Sequence, residues 1–206
     1  MKIAVSGKGG TGKTTVAVLL ANFLVRKNFD VFAVDADPDL SLGTALGLPD
    51  ETVDQLVPIV DMREVISELT GGEGAFYSLN PDVRDLLEKY AVRRGRISFL
   101  KMGAVKQGGT SCYCRENAVL HALMSFLILN KQEAVVLDMS AGIEHLSRGT
   151  ARGVDAMVVV TEPTRISLQT ATTVARLAGD LGISKVGFIG NKIRRPRDKE
   201  AITSCL

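Results

Sequence analysis

The 206 residues, 46% hydrophobic and 23% charged, supply enough apolar material for one globular domain with a substantial core, which excludes disordered and fibrous classes. A formal net charge of +2, from 25 basic and 23 acidic residues with no long run of either sign, offers neither a nucleic-acid arm nor a polybasic membrane patch. The N-terminus reaches Gly7 before any signal-peptide core forms, and Cys112, Cys114 and Cys205 make an odd number, so a reducing, cytoplasmic setting is expected rather than a disulfide framework.

In chain order, residues 2–6 predict a buried strand and lead into a glycine-rich turn. Residues 13–27 follow with Val16, Leu19, Leu20, Phe23 and Leu24 at helical spacing, and residues 31–35 give the next strand. Residues 43–96 differ: they are charged, carry Pro49, Pro58 and Pro81, and predict short helices inserted between strands, placed to cap a site or meet a partner. Strands are expected at 97–102, 134–138, 156–161 and 185–190. The apolar stretch 118–129, interrupted by His121 and Ser125, is well short of the roughly 20 residues that cross a bilayer and predicts a buried helix. Residues 166–181 predict a helix that packs on the sheet through Ile166, Ala171, Val174, Leu177 and Leu181. A last helix starts near Asp198. This alternation predicts an α/β P-loop NTPase fold, a mostly parallel sheet with helices on both faces, in a single domain spanning residues 1–206.

Gly7-Lys8-Gly9-Gly10-Thr11-Gly12-Lys13-Thr14 matches GxxxxGK[ST] between a predicted strand and a predicted helix, the context that this phosphate-binding loop requires. Its glycines allow backbone N–H groups to turn inward around phosphate oxygens, and the helix points its positive end at the same anion. Gly9, Gly10, Thr11, Gly12, Lys13, Thr14 and Thr15 are therefore the expected nucleotide contacts. The Thr14 hydroxyl suits a magnesium ion bridging the terminal phosphates.

Carboxylates stand at the ends of two further strands, Asp35, Asp37 and Asp39 in one and Asp138 in the other, where ligands of open α/β sheets gather. Asp138 is the expected magnesium-shell acid, and Asp37 the candidate for orienting the attacking water; for each acid a helix cap or solvated turn is the competing reading. Asn191, after the strand at 185–190, can donate to and accept from a purine edge. Ile193 and Arg194 follow Lys192 where a guanine site would complete NKxD, which favours ATP over GTP.

Lys8 occupies a position that the general P-loop pattern leaves free, and GKGGTGKTT resembles the deviant Walker A signature of MinD, ParA and the nitrogenase iron protein. With GGTSCYCREN, LDMSAGIEHLSRGTA and TEPTRISLQTA, the resemblance narrows to the CooC-type accessory ATPases of nickel carbon monoxide dehydrogenase and runs from Met1 to about Lys192. It implies an ATP-hydrolysing homodimeric metallochaperone with carbon monoxide dehydrogenase as client, in which Lys8 reaches the partner's ATP and acts with Lys13. It also implies a C-terminal strand and helices beyond the helix near Asp198, apparently absent from this sequence.

Cys112 and Cys114, one residue apart after Gly108 and Gly109, can converge on one soft metal ion as half of a tetrahedral site; a buried small-residue pair or a vicinal disulfide fits the spacing too. The resemblance implies zinc or nickel shared between two subunits. His121, on its apolar stretch, is expected in the core, and Glu144 with His145 in a segment that senses the γ-phosphate. No role attaches to Cys205. Two rival functions use the same residues: a MinD- or ParA-like positioning ATPase, for which neither an amphipathic C-terminal helix nor a basic face is visible, and an ATP-gated metal-binding dimer without productive turnover. No nucleic-acid or membrane partner is expected.

Overall fold

The computed structural model describes residues 1–37, 39–70, 89–103, 131–139 and 154–206. Their strands are β1 (Lys2–Gly7), β2 (Asp30–Ala36), β3 (Val92–Arg94), β4 (Ile97–Lys101), β5 (Glu133–Met139), β6 (Ala156–Thr161) and β7 (Val186–Gly190). They form one sheet in the order β3-β4-β2-β5-β1-β6-β7. All neighbours pair parallel except β3 and β4. The helices are α1 (Lys13–Arg26), α2 (Leu42–Ala45), α3 (Asp50–Gln55), α4 (Arg63–Thr70), α5 (Arg165–Asp180) and α6 (Pro196–Thr203), with a 3-10 turn at Ile59–Asp61.

Alternation along the central strands divides the core in two. Ile3, Val5, Val31, Ala33, Ala134, Val136 and Val160 pack with Val16, Ala17, Ala21 and Leu24 of α1. Ala4, Val34, Val135, Leu137, Met157 and Val159 pack with Ala171, Val174 and Ala178 of α5 on the opposite face. Strands covered on both faces explain the near-continuous apolar runs of the sequence.

Two expected faces need correction. Leu19 and Phe23 of α1 are 64% and 54% exposed, because Ala17 and Ala21 bring the helix close to the sheet along a different stripe. Lys27 covers the Phe23 ring instead, its Nζ 5.6 Å from the centroid. In α5, Ile166 is 64% exposed, while Ser167 is buried and bonded at 2.9 Å to the Thr161 hydroxyl. The 43–96 segment does contain short helices, and it also contains β3, an Arg-rich strand joined to β4 by a tight turn at Gly95 and Arg96. Among the described residues no helix is long and apolar enough to cross a membrane.

Candidate nucleotide site

The site lies where β1, β2 and β5 end. β1 turns out of the sheet at Gly7, whose φ is +144° and whose α-carbon could not carry a Cβ without overlapping the Val160 carbonyl of β6. A side chain there would push the loop off the sheet. The loop closes on itself at Thr11, which is buried and donates from its hydroxyl to the Lys8 carbonyl at 2.8 Å. Gly12 (φ +97°) stands at the cap position before α1, and its lack of a side chain leaves the first amides of the helix without a side-chain cap. An uncapped N-terminus on a 14-residue helix, behind a glycine loop, presents N–H groups and a positive dipole end to an anion.

Lys13 is buried, and its Nζ lies 4.0 Å from Oδ2 of Asp37. Thr14 is half-buried, its hydroxyl 3.3 Å from that of Ser41. Gly9, Gly10 and Thr15 are exposed around them, and Lys8 is half-buried.

Beneath the loop, Asp35 of β2 and Asp138 of β5 are register partners on neighbouring parallel strands, and both are fully buried. Asp35 is satisfied: Oδ2 accepts from the Leu42 N–H at 2.9 Å and Oδ1 from the Asp37 N–H at 3.2 Å. Neither oxygen of Asp138 completes a hydrogen bond among the described residues. Burial pushes the Asp35 carboxyl up to about 7 against the pull of those two amides, and the charges of Asp138 and Asp37 add to the rise. Burial likewise lifts Asp138 to about 6, helped by the charge of Asp37 and opposed by the nearby Thr14 hydroxyl and Lys13. Carboxylate oxygens that complete no hydrogen bond among the described residues, near the Thr14 hydroxyl, are hard donors. The donor set fits magnesium, with phosphate and water completing its shell. Among the described residues no group of three or more His, Cys, Asp or Glu side chains is arranged to hold a metal by itself.

Asp37 accepts from the Asp39 N–H through Oδ1 at 3.1 Å, which leaves Oδ2 facing Lys13. Asn191 follows β7 and lies against the loop: its Nδ2 donates to the Thr11 carbonyl at 2.8 Å, and its Oδ1 accepts from the Lys192 N–H at 2.8 Å. Two residues missed in the sequence reading belong to this neighbourhood. Lys192 donates to the Gly10 carbonyl at 2.6 Å and pairs with Glu162 at 3.0 Å. The pairing of Asn191 with Lys192 after a strand was the available signal; Glu162 carried none. Cys112, Cys114, His121, Glu144 and His145 lie outside the described residues, and Cys205 is a free, exposed thiol.

The model of the CobQ/CobB/MinD/ParA nucleotide binding domain matches residues 2–205. The chain belongs to this family. Within the MinD/ParA family its sequence sides with the CooC type: the carbon monoxide dehydrogenase accessory protein CooC of Rhodospirillum rubrum is 43% identical over 96% of this chain and 76% of that protein. An uncharacterized ATP-binding protein of Methanocaldococcus jannaschii is 42% identical over 98% of this chain and 78% of its own length. The solved Mg-ADP complex of MinD from Pyrococcus horikoshii superposes with a TM-score of 0.66 at 24% identity, covering 100% of this chain and 76% of that one, which establishes the shared fold. The cell division ATPase MinD of Pyrococcus furiosus gives a TM-score of 0.66 at 25% identity, over 98% and 78% of the two chains. Family membership thus joins the loop geometry in making this a P-loop ATPase.

Proposed function

We propose that this chain hydrolyses ATP as a cytoplasmic homodimer and assists nickel insertion into a carbon monoxide dehydrogenase. The client rests on the 43% identity with a carbon monoxide dehydrogenase accessory protein. The ATPase rests on one observation above others, the buried Asp138 carboxylate, which completes no hydrogen bond among the described residues, together with the uncapped helix start behind the glycine loop.

The loop amides and Lys13 hold the phosphates, and Thr14 and Asp138 hold magnesium, which when bound offsets the phosphate charge. Lys13 rests near Asp37 and turns to the phosphates when they enter. Asp37 Oδ2 then faces the water that attacks the γ-phosphorus, and Asp35 keeps that turn in place through the Asp37 N–H. Asn191 is the candidate for the purine edge, its side chain held beside the loop by the Thr11 carbonyl and the Lys192 N–H. Lys8 stabilises the transferring phosphate of the partner subunit, an effect worth roughly 10³ to 10⁵ in rate where such a trans cation operates. Cys112 and Cys114 of two subunits supply four thiolates to zinc or nickel on the dimer axis. Residues 43–96 of this single domain face the client.

Nickel delivery requires that ATP and metal favour one dimer state over the other. Light scattering with and without ATP and nickel tests this, using the wild type, Lys8→Ala, and the double change Cys112→Ala with Cys114→Ala. The wild type should dimerise with either ligand. Lys8→Ala should bind ATP and lose turnover by about 10³-fold, and the cysteine variant should lose only the metal response. Unchanged turnover in Lys8→Ala removes the trans lysine, and an unchanged metal response in the cysteine variant removes the thiolate site.

A further inference from the structure

The outer side of the glycine loop is held from the far edge of the sheet. Glu162, just beyond β6, pairs with Lys192, just beyond β7, at 3.0 Å, and the same Lys192 Nζ donates to the Gly10 carbonyl at 2.6 Å. Beside it, Asn191 donates to the Thr11 carbonyl at 2.8 Å. Two successive loop carbonyls are therefore held: the first peptide carries the Thr11 N–H, which closes the loop turn on the Lys8 carbonyl at 3.3 Å, and the second carries the Gly12 N–H, which trans-peptide geometry turns away from Asn191.

The backbone is bent to make this reach. Lys192 has φ +56°, the left-handed region that side-chain-bearing residues seldom adopt, and its own N–H is taken by the Asn191 side chain at 2.8 Å. Glycine would adopt this turn freely but could not reach Gly10. The Lys192 ammonium holds the Glu162 carboxyl below its ordinary range, and the charge of Lys8 contributes further. Glu162 thus stays charged, as an anchor for Lys192 must.

We propose that Lys192, anchored by Glu162, is a positioning residue for the nucleotide: it fixes the Gly10 carbonyl and so preorganises the loop amides for the phosphates. This rests on the ATP-binding reading above. Phosphate affinity carries the effect, because a loop free to rotate its peptides must be ordered each time the anion enters. The chemical step, which uses Lys13 and the carboxylates, does not pass through Lys192.

The test is calorimetric titration of Mg-ATP into the full-length wild type, Lys192→Met and Lys192→Gly, with thermal melts and steady-state ATPase on each. Methionine keeps the stem and the strained backbone but loses the donor; glycine relieves the backbone and loses the donor too. Both should weaken Mg-ATP by about tenfold, as loss of a charge-assisted bond at a half-exposed site does. KM should rise while kcat stays within about twofold of wild type. Lys192→Gly should melt at or above the wild-type temperature, which a merely structural role for Lys192 would forbid. Unchanged affinity in both variants, with the wild type binding tightly, overturns the brace and leaves the ATP site standing. Absence of Mg-ATP binding by the wild type overturns the ATP site and the brace together.

Discussion

The floor and the rim of the site treat their carboxylates in opposite ways. On the floor, Asp35 and Asp138 are fully buried side by side, and among the described residues neither Asp138 oxygen completes a hydrogen bond. On the rim, Glu162 is paired with Lys192 at 3.0 Å. A buried, unsatisfied acid costs stability and persists where a ligand completes it, whereas a half-buried acid satisfied by an exposed lysine adds little stability and holds geometry. The floor is thus built for the cation and phosphates, and the rim for shaping the loop that receives them.

The largest expected effect breaks the floor itself. Gly7→Ala forces a Cβ into the Val160 carbonyl at a positive φ, and should cost about 4 kcal/mol, from overpacking and backbone strain together. Urea unfolding monitored by circular dichroism should show the midpoint falling accordingly; a midpoint within error of wild type would mean that the strand end is looser than described.

Next comes the sign of the Asp138 effect. The folded chain raises Asp138 to about 6 and Asp35 to about 7, so it binds protons that the unfolded chain releases near pH 4. Stability of the nucleotide-free protein should therefore fall as pH rises from about 4 to about 7, then level off. Asp138→Asn removes its share of that loss. It should be more stable than wild type by about 2 kcal/mol at pH 8, with the gap closing toward pH 4. Thermal melts across this range check both the sign and the window; a variant less stable than wild type at pH 8 would show that the buried carboxylate is satisfied after all.

The smallest effect is expected on the rim. Glu162→Gln keeps an acceptor for Lys192 and loses only a screened charge, so stability should change by less than about 0.5 kcal/mol. A loss above about 2 kcal/mol in chemical denaturation would erase the contrast between rim and floor.

Much of this was legible in the residues. Continuous apolar runs located six of the strands described, and α1 was read to within one residue at its C-terminal end. Its buried face was not, because Leu19 and Phe23 outweigh Ala17 and Ala21 in hydrophobicity while the alanines set the closest approach to the sheet. β3 escaped notice because three residues ending in two arginines pair only through the hairpin with β4. The glycine loop was legible as a motif, since its function needs fixed residues at fixed spacing. Asp138 was singled out as the magnesium-shell acid from its strand end alone, whereas the pairing of Asp35 beside it and the hold of the Leu42 and Asp37 amides on Asp35 needed the register and the fold. The Lys192 contact joins residues 182 positions apart, beyond the reach of local pattern.

The central claim is that Asp138, which completes no hydrogen bond among the described residues, serves a magnesium ion at a triphosphate. Titration of ATP into wild type and Asp138→Asn at pH 8, each with and without magnesium, addresses it directly. Magnesium should tighten ATP binding to the wild type by at least about tenfold, a difference of about 1.4 kcal/mol, and have little effect on the variant. Equal tightening in both proteins, or no ATP binding by the wild type, would contradict it.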